Sequence, residues 1–275
     1  MKNLKVIFIA LIAFVAIAGL NSCNKTDDSV TVPEITKTTI TDYANIVSSF
    51  ALDAEDEVVS SEESDLKSAS LTSCFTVTVD QNVNGAFYPR VWTVDYLGGC
   101  TFFSGNTKTG KIHVSLTDFW KNVGSLKTVT YEDYYFNGNK LAGVTTILNT
   151  GLNERGNLTF TKTVNDASLT YPDGTFISWE CDKQSELISG GSTFLFADDV
   201  YSVTGTVTGV NLDLTNYTLT ITSPLIYKNG CFYPVSGIVT IVTVGGDLQT
   251  IDYGTGECDN LATLTVGGVT TEINL

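Results

Sequence analysis

The chain has 275 residues, of which 30 are acidic and 15 are basic, so its formal net charge is −15 at pH 7. A surface so acidic repels phosphate backbones, and the sequence contains no basic cluster, so we expect no nucleic-acid partner. The length suffices for one large β domain with a sizeable core. The single histidine leaves little material for Ser-His-Asp or Cys-His triad chemistry.

The first 22 residues have the layout of a signal peptide. Lys2 and Lys5 form a basic start, and an apolar run of about 15 residues follows from Val6 to Leu20. That run is shorter than the roughly 20 residues needed for a membrane-spanning helix. A small residue then precedes Cys23, and the segment resembles the bacterial lipobox. We therefore predict cleavage before Cys23 and attachment of acyl lipid, palmitate included; a plain secretory signal is the alternative.

Residues 23–40 are predicted to be a lipidated flexible tether. Its acidic stretch, Lys25–Asp28, resembles the export tag of surface lipoproteins in Bacteroidota-type Gram-negative bacteria. The resemblance implies a protein in the outer membrane that faces the cell exterior. The triplet around Ser29 also fits the O-glycosylation pattern of those bacteria, so Ser29 is a candidate glycan site.

Residues 41–70 are predicted to form a short helix and an acidic linker. Ile46, Val47 and Phe50 fall at helical spacing, and the helix is expected to end near Val59. The serine-rich, acidic residues that follow are typical of a solvated linker.

Residues 71–275 are predicted to form an antiparallel β domain. The apolar pattern has period two, with threonine on one face and aliphatic or aromatic residues on the other, as in Lys111–Leu116 and Tyr217–Ile221. Turn signals such as Asn137-Gly138 and Gly267-Gly268 separate the runs. The fold class is therefore all-β: a sandwich, an open barrel or a large curved sheet, preceded by the short helix.

The five cysteines left after lipidation lie in an exported region where disulfides persist. Cys74 and Cys100 occur in nearly the same local sequence context as Cys231 and Cys258, at almost equal spacing. A hairpin would bring each pair close to opposite positions. We predict the disulfides Cys74–Cys100 and Cys231–Cys258 with Cys181 unpaired; reduced, buried cysteines are the alternative.

The aromatic stretch 131–136 contains the candidate ligand-binding residues Tyr131, Tyr134 and Tyr135. Alternation puts Tyr131 and Tyr135 on one face of the strand and Tyr134 on the other. One face is expected to pack in the core, while the other offers rings for stacking on sugars. Core or edge-strand packing of the whole stretch is the alternative.

Carboxylate chemistry remains open because glycoside hydrolysis needs only two acids about 5 to 10 Å apart. The candidate pairs are Glu132 with Asp133, Glu180 with Asp182, and Asp198 with Asp199. Alternation predicts opposite faces for the first pair and one shared face for the second. His113 is expected on the polar face of its strand. We identify no catalytic residue.

A calcium site is a further hypothesis. Asp252, Glu257 and Asp259 surround a glycine-rich loop and carry the oxygen ligands that hard cations require. No Cys-x-x-Cys or clustered Cys/His set points to zinc. No organic cofactor is expected, since nucleotide-binding fingerprints are absent from the sequence.

The lipidated start, the helical leader, the threonine-rich β body and the closing Asp-Tyr-Gly-x-Gly-x-Cys-Asp motif at residues 252–259 resemble uncharacterised outer-membrane and surface lipoproteins of the Bacteroidota. The resemblance covers nearly the whole chain and brings no activity with it. We expect a lipid-anchored envelope protein with a non-catalytic binding or structural role, whose partner is a glycan or another envelope protein. The alternative is a carbohydrate-active enzyme that uses a carboxylate pair.

Overall fold

The computed structural model describes residues 74–80, 86–101, 105–193 and 196–275. Cys23, Ser29 and the helix predicted within residues 41–59 lie outside the described residues. The described chain forms fourteen strands in one open antiparallel sheet, and its helical structure is a single 3-10 turn at Phe196–Asp198. The all-β prediction is therefore confirmed, and one open sheet is the architecture among the three expected.

The strands are β1 Thr76–Asp80, β2 Arg90–Asp95, β3 Cys100–Thr101, β4 Thr107–Leu116, β5 Leu126–Phe136, β6 Asn139–Leu152, β7 Leu158–Thr170, β8 Phe176–Ser189, β9 Val200–Val210, β10 Asn216–Lys228, β11 Ser236–Thr243, β12 Gln249–Thr255, β13 Leu261–Val266 and β14 Val269–Asn274.

The sheet is a meander in which strands adjacent in sequence are hydrogen-bonded neighbours. The one departure is β3, which pairs beside the main path with β4. Asn137 and Gly138 both have positive φ, and so do Gly267 and Gly268, as two-residue hairpin turns require. Local turn chemistry thus specifies the connections between β5 and β6 and between β13 and β14.

Each strand turns one side to the core and the other to solvent. On β8, Trp179, Lys183 and Leu187 are buried, while Glu180 and Asp182 between them are exposed. We call the first side the core face and the second the outer face. Most buried residues of the core face form one hydrophobic cluster that extends from β2 to β13, and Phe160 and Leu187 are buried outside it.

β-bulges interrupt this alternation at several strand pairs, and two of them lie opposite a glycine with positive φ. Gly110 faces the bulge at Asp133 in β5, and Gly143 faces the bulge at Ala167 in β7. A Cβ at either glycine would collide with the backbone of the bulged strand. Bulges bend a strand and increase its twist, so these pairs curve the sheet locally.

The bulge in β5 corrects two predictions from alternation. Tyr131 and Tyr134 both lie on the core side, with ring centroids 5.5 Å apart, and Tyr134 is 2 % exposed. Glu132 and Asp133 are both exposed rather than on opposite faces. The inserted residue, with φ of 44° at Asp133, shifts the period by one position.

The connection between β4 and β5 folds over the ends of neighbouring strands. Trp120 stacks on Phe160 of β7 with ring centroids 6.0 Å apart. Asn149 of β6 donates its side-chain amide to the carbonyl oxygen of Trp120 at 2.8 Å. Lys121 donates to the carbonyl oxygen of Thr193, beyond β8, also at 2.8 Å. This segment covers the core face at that edge.

Both predicted disulfides are present, and Cys181 is a free thiol. The Cα atoms are 5.3 Å apart for Cys74–Cys100 and 5.4 Å apart for Cys231–Cys258. Each disulfide closes a loop of about 26 residues near one end of the meander, where strands have fewer neighbours to hold them.

Candidate functional site: a polar groove on the outer face

A shallow, open depression of about 530 Å³ lies across the middle of four adjacent strands, β7 to β10. We call it the polar groove. Trp179 and Tyr217, from the same strand segments, are buried on the core side, so the solvent-facing side chains of the lining are polar apart from the half-buried Val210. That lining carries carboxylates, hydroxyls and one amide, from Asp166, Ser168, Ser178, Glu180, Thr208, Asn216 and Thr218.

The register of the sheet aligns three of these groups. Glu180 is the cross-strand partner of Thr208, and Thr208 is the partner of Thr218. Gly209 belongs to the core-facing row with its cross-strand partners Trp179 and Tyr217, and a side chain there would collide with Tyr217 and with the carbonyl oxygen of Ser178. On the outer face, the hydrogen-bonding side chains of neighbouring strands are about 4.8 Å apart.

Phe176 adds an apolar surface beside the groove. Its side chain is on the outer face of β8, in line with Ser178 and Glu180, and is 40 % exposed. Hydrogen-bonding groups beside an exposed ring are what a sugar with polar edges and an apolar face requires.

A continuous row of polar residues runs beside the groove across the outer face. It contains one residue from each strand from β4 to β14, each the registered partner of the next: Ser115, Thr128, Thr146, Thr163, Asp182, Thr206, Thr220, Thr240, Thr250, Thr265 and Thr270. We call it the threonine row. Threonine suits a half-exposed strand position, and cross-strand threonine pairs stabilise a sheet modestly. One such pair, Thr265 and Thr270, has its hydroxyls 2.8 Å apart.

The three tyrosines predicted to bind a ligand do not share a surface. Tyr134 is buried, and Tyr131 packs against the core. Tyr135 lies 5.8 Å from the ammonium of Lys140 and is half-buried. The β5 bulge therefore places Tyr131 and Tyr134 together on the core side instead of on opposite faces, and ligand binding by these tyrosines stays a prediction.

The carboxylate candidates have different environments. Glu180 and Asp182 do share the outer face, as predicted, but Asp166 rather than Asp182 joins Glu180 in the polar groove. Asp198 is exposed and accepts a hydrogen bond from the Thr193 hydroxyl at 2.9 Å. Asp199 is 4 % exposed, and burial raises the pKa of its carboxyl group.

Glu132 belongs to a hydrogen-bonded chain that the sequence did not reveal. Nε2 of His113 lies 3.0 Å from Glu132 Oε2, and Nδ1 of His113 lies 3.0 Å from Thr93 Oγ1. Lys111 donates to the other oxygen of Glu132 at 2.9 Å. Lys111 and then His113 hold the pKa of Glu132 below its usual range. Thr93, His113 and Glu132 come from three neighbouring strands, so we interpret this hydrogen-bonded series as a cross-strand structural contact.

The predicted calcium ligands do not converge. Asp252 accepts a hydrogen bond from the backbone N–H of Gly254 at 2.9 Å, and Asp259 accepts one from that of Leu261 at 3.0 Å. Each carboxylate closes its own turn, while Glu257 is exposed. Within the described ranges no three acidic, histidine or cysteine side chains are gathered so that they could hold a metal ion. The described loop thus does not gather the three predicted ligands, and calcium binding there stays a prediction.

Among the described residues no helix is long and apolar enough to cross a membrane. The fold and the groove define the class: an open, disulfide-linked antiparallel sheet with a polar groove on its outer face. No family model, curated protein or solved structure matches the chain.

Proposed function

We propose that this chain is a lipid-anchored outer-membrane protein that faces the cell exterior and binds an extended glycan on the outer face of its sheet without cleaving it. The observation that carries the binding role is the polar groove, in which Glu180, Thr208 and Thr218 present hydrogen-bonding groups in a line next to the exposed ring of Phe176. The anchor rests on the sequence around Cys23.

The threonine row supports an extended ligand. Polar groups repeat along the row at the strand spacing, about 4.8 Å, which is close to the length of one pyranose ring in an extended chain. A glycan lying across the strands would therefore meet a hydroxyl or carboxylate at each sugar. Neutral glycans also suit a chain of net charge −15, which repels acidic polymers.

A glycan array probed with the chain from residue 24 onward, without lipid, tests the binding role. The matched variants are the double substitution Thr208→Val/Thr218→Val in the groove and Thr204→Val outside it. Thr204 is exposed on the same strand as Thr208, four residues away and outside the groove lining. Loss of two hydrogen bonds is expected to weaken binding about tenfold, while Thr204→Val binds like the natural chain.

Hydrolysis is the alternative function, favoured by the presence of both Asp166 and Glu180 in the groove. The same array hits are incubated with the protein, and reducing ends are measured. We expect none above a blank. If the natural chain releases sugar and Glu180→Gln does not, the protein is a carboxylate-based glycosidase rather than a binding protein.

Lipidation and glycosylation are tested separately by a mass spectrum of the mature amino-terminal peptide from cells. We expect a diacyl or triacyl modification on Cys23 and a glycan on Ser29. An unmodified Cys23 would contradict the anchor, and an unmodified Ser29 would contradict the glycan site.

A further inference from the structure

Two lysines lie opposite each other on the core face, away from the polar groove. Lys162 of β7 and Lys183 of β8 are registered cross-strand partners. Lys183 is between the buried residues of β8 and is 7 % exposed, while Lys162 is half-buried between Phe160 and Val164. The residue paired with Lys183 on its other side is Gly205, which contributes no side chain.

Neither ammonium group has a counter-charge within the described part of the chain. Lys162 and Lys183 make no hydrogen bond or ion pair there. Among the described residues, Asn211 Oδ1 is the one side-chain polar atom that has neither solvent exposure nor a hydrogen-bond partner. The Nζ atom of Lys183 lacks a partner and therefore keeps some exposure to solvent. Lys183 therefore borders space that a water molecule can reach. An unpaired ammonium in such a place is costly and attracts an acceptor.

The polar groups next to the lysine pair are a thiol and a phenol rather than carboxylates. The Cys181 thiol, two residues from Lys183 on the same side of β8, is within electrostatic range of Lys183 and of the Tyr227 phenol. Within the described ranges the Tyr227 hydroxyl, like the ammonium groups, has no hydrogen-bond partner. This part of the interior thus holds several donors and lacks an anion.

The remaining surroundings are apolar. Phe160 and Val164 flank Lys162 along β7, and Leu187 follows Lys183 on β8. Phe160 is in turn stacked against Trp120 of the covering segment. A fully hydrated inorganic anion would lose its water here without gaining partners, whereas a carboxylate on an apolar body would satisfy both the ammonium groups and the walls.

From these contacts we propose that Lys162 and Lys183 form a binding site on the core face for the carboxylate of an organic acid with an apolar body, such as a fatty acid. The carboxylate accepts hydrogen bonds from the two ammonium groups, and the apolar body lies along the core face beside them. The site is on the opposite side of the sheet from the polar groove, so its test does not depend on glycan binding.

Calorimetric titration of the mature chain with octanoate tests the site. The parallel probes are octanol, which lacks the charge, and inorganic phosphate, which lacks the apolar body. The variants are Lys183→Met, Lys183→Gln and Lys162→Met. Lys228→Met is the control, because Lys228 is an exposed lysine whose Nζ donates to the carbonyl oxygen of Gly256 at 2.8 Å.

Octanoate is expected to bind, and each change at Lys162 or Lys183 is expected to weaken binding about 10- to 100-fold, the equivalent of one charge-assisted hydrogen bond. Lys228→Met should bind like the natural chain, and octanol and phosphate should bind at least about tenfold more weakly than octanoate. Absence of octanoate binding, octanoate binding in both Lys183 variants as tight as in the natural chain, or phosphate binding as tight as octanoate binding would each overturn the proposal.

Discussion

Replacing Lys183 by methionine is expected to stabilise the protein. Burial, opposed by the Cys181 thiol and assisted by Lys162, lowers the pKa of Lys183 from 10.5 to about 8. Lysine in the unfolded chain keeps its ordinary pKa, so at pH 7 the folded state carries a charge that it disfavours. At 1.36 kcal/mol per unit, the difference amounts to about 3 kcal/mol. Methionine has a similar length and an apolar tip, so Lys183→Met should recover most of that free energy.

The pH dependence of the free energy of unfolding tests independently whether Lys183 is destabilising. Between pH 8 and 10.5 the unfolded chain binds more protons at this lysine than the folded chain, so stability rises with pH. Relative to Lys183→Met, the natural chain should gain about 2 kcal/mol between pH 7 and 9.5. Above pH 10 tyrosine ionisation in the unfolded chain lowers the stability of both proteins alike, because burial raises the pKa of Tyr253 to about 12.

Urea unfolding of the oxidised chain, followed by tryptophan fluorescence at pH 7, 8.5 and 9.5, measures both effects. Lys162→Met is the matched comparison: it removes the neighbouring charge, so the pH-dependent rise should persist but begin at higher pH. A Lys183→Met protein that is less stable than the natural chain at pH 7, or that keeps the same rise between pH 7 and 9.5, would refute the reasoning.

Two further predictions concern stability. Removing the Cys231–Cys258 disulfide by the double substitution Cys231→Ala/Cys258→Ala opens a loop of about 27 residues. It should lower the free energy of unfolding, measured in urea, by about 3 kcal/mol. An unchanged urea midpoint would contradict this prediction. Glu186→Gln should cost about 1 kcal/mol at pH 7. Hydrogen bonds from Asn157 and then from neighbouring side chains lower the pKa of Glu186 to about 2, so its contribution is present above pH 4.5 and is lost as pH falls toward 2; an unchanged acid limb of the stability curve in Glu186→Gln would rule this out.

The sequence predicted those parts of the fold that depend on local chemistry. Asn137-Gly138 and Gly267-Gly268 specify hairpin turns by themselves, and alternation within each strand separates the core face from the outer face. The disulfides followed from the same cause, since two hairpins with similar local sequence bring their cysteines opposite each other.

Features that depend on the register between strands could not be predicted from the sequence. The threonine row becomes a row only when every neighbouring pair is aligned, and no single strand contains more than one of its members. Asp166 enters the polar groove because of the bulge before Ala167, and Tyr134 leaves the outer face because of the bulge at Asp133. An extra residue in one strand cannot be recognised from the alternation of the sequence. It nevertheless exchanges the core face and the outer face for every residue that follows it in the strand.

Lys183 illustrates a second limit. Its position in an alternating strand places it on the core face, and a buried lysine ordinarily has an acidic partner. The sequence contains 30 acidic residues that are candidates for that role. Only the three-dimensional neighbours reveal that the described chain supplies none to this ammonium group.

The binding role is tested most directly by titrating the best array glycan into the natural chain, the double variant Thr208→Val/Thr218→Val and the control Thr204→Val. The account predicts saturable binding to the natural chain and the control with equal affinity, and binding about tenfold weaker in the groove variant. Equal affinity in all three proteins would contradict a glycan site in the polar groove.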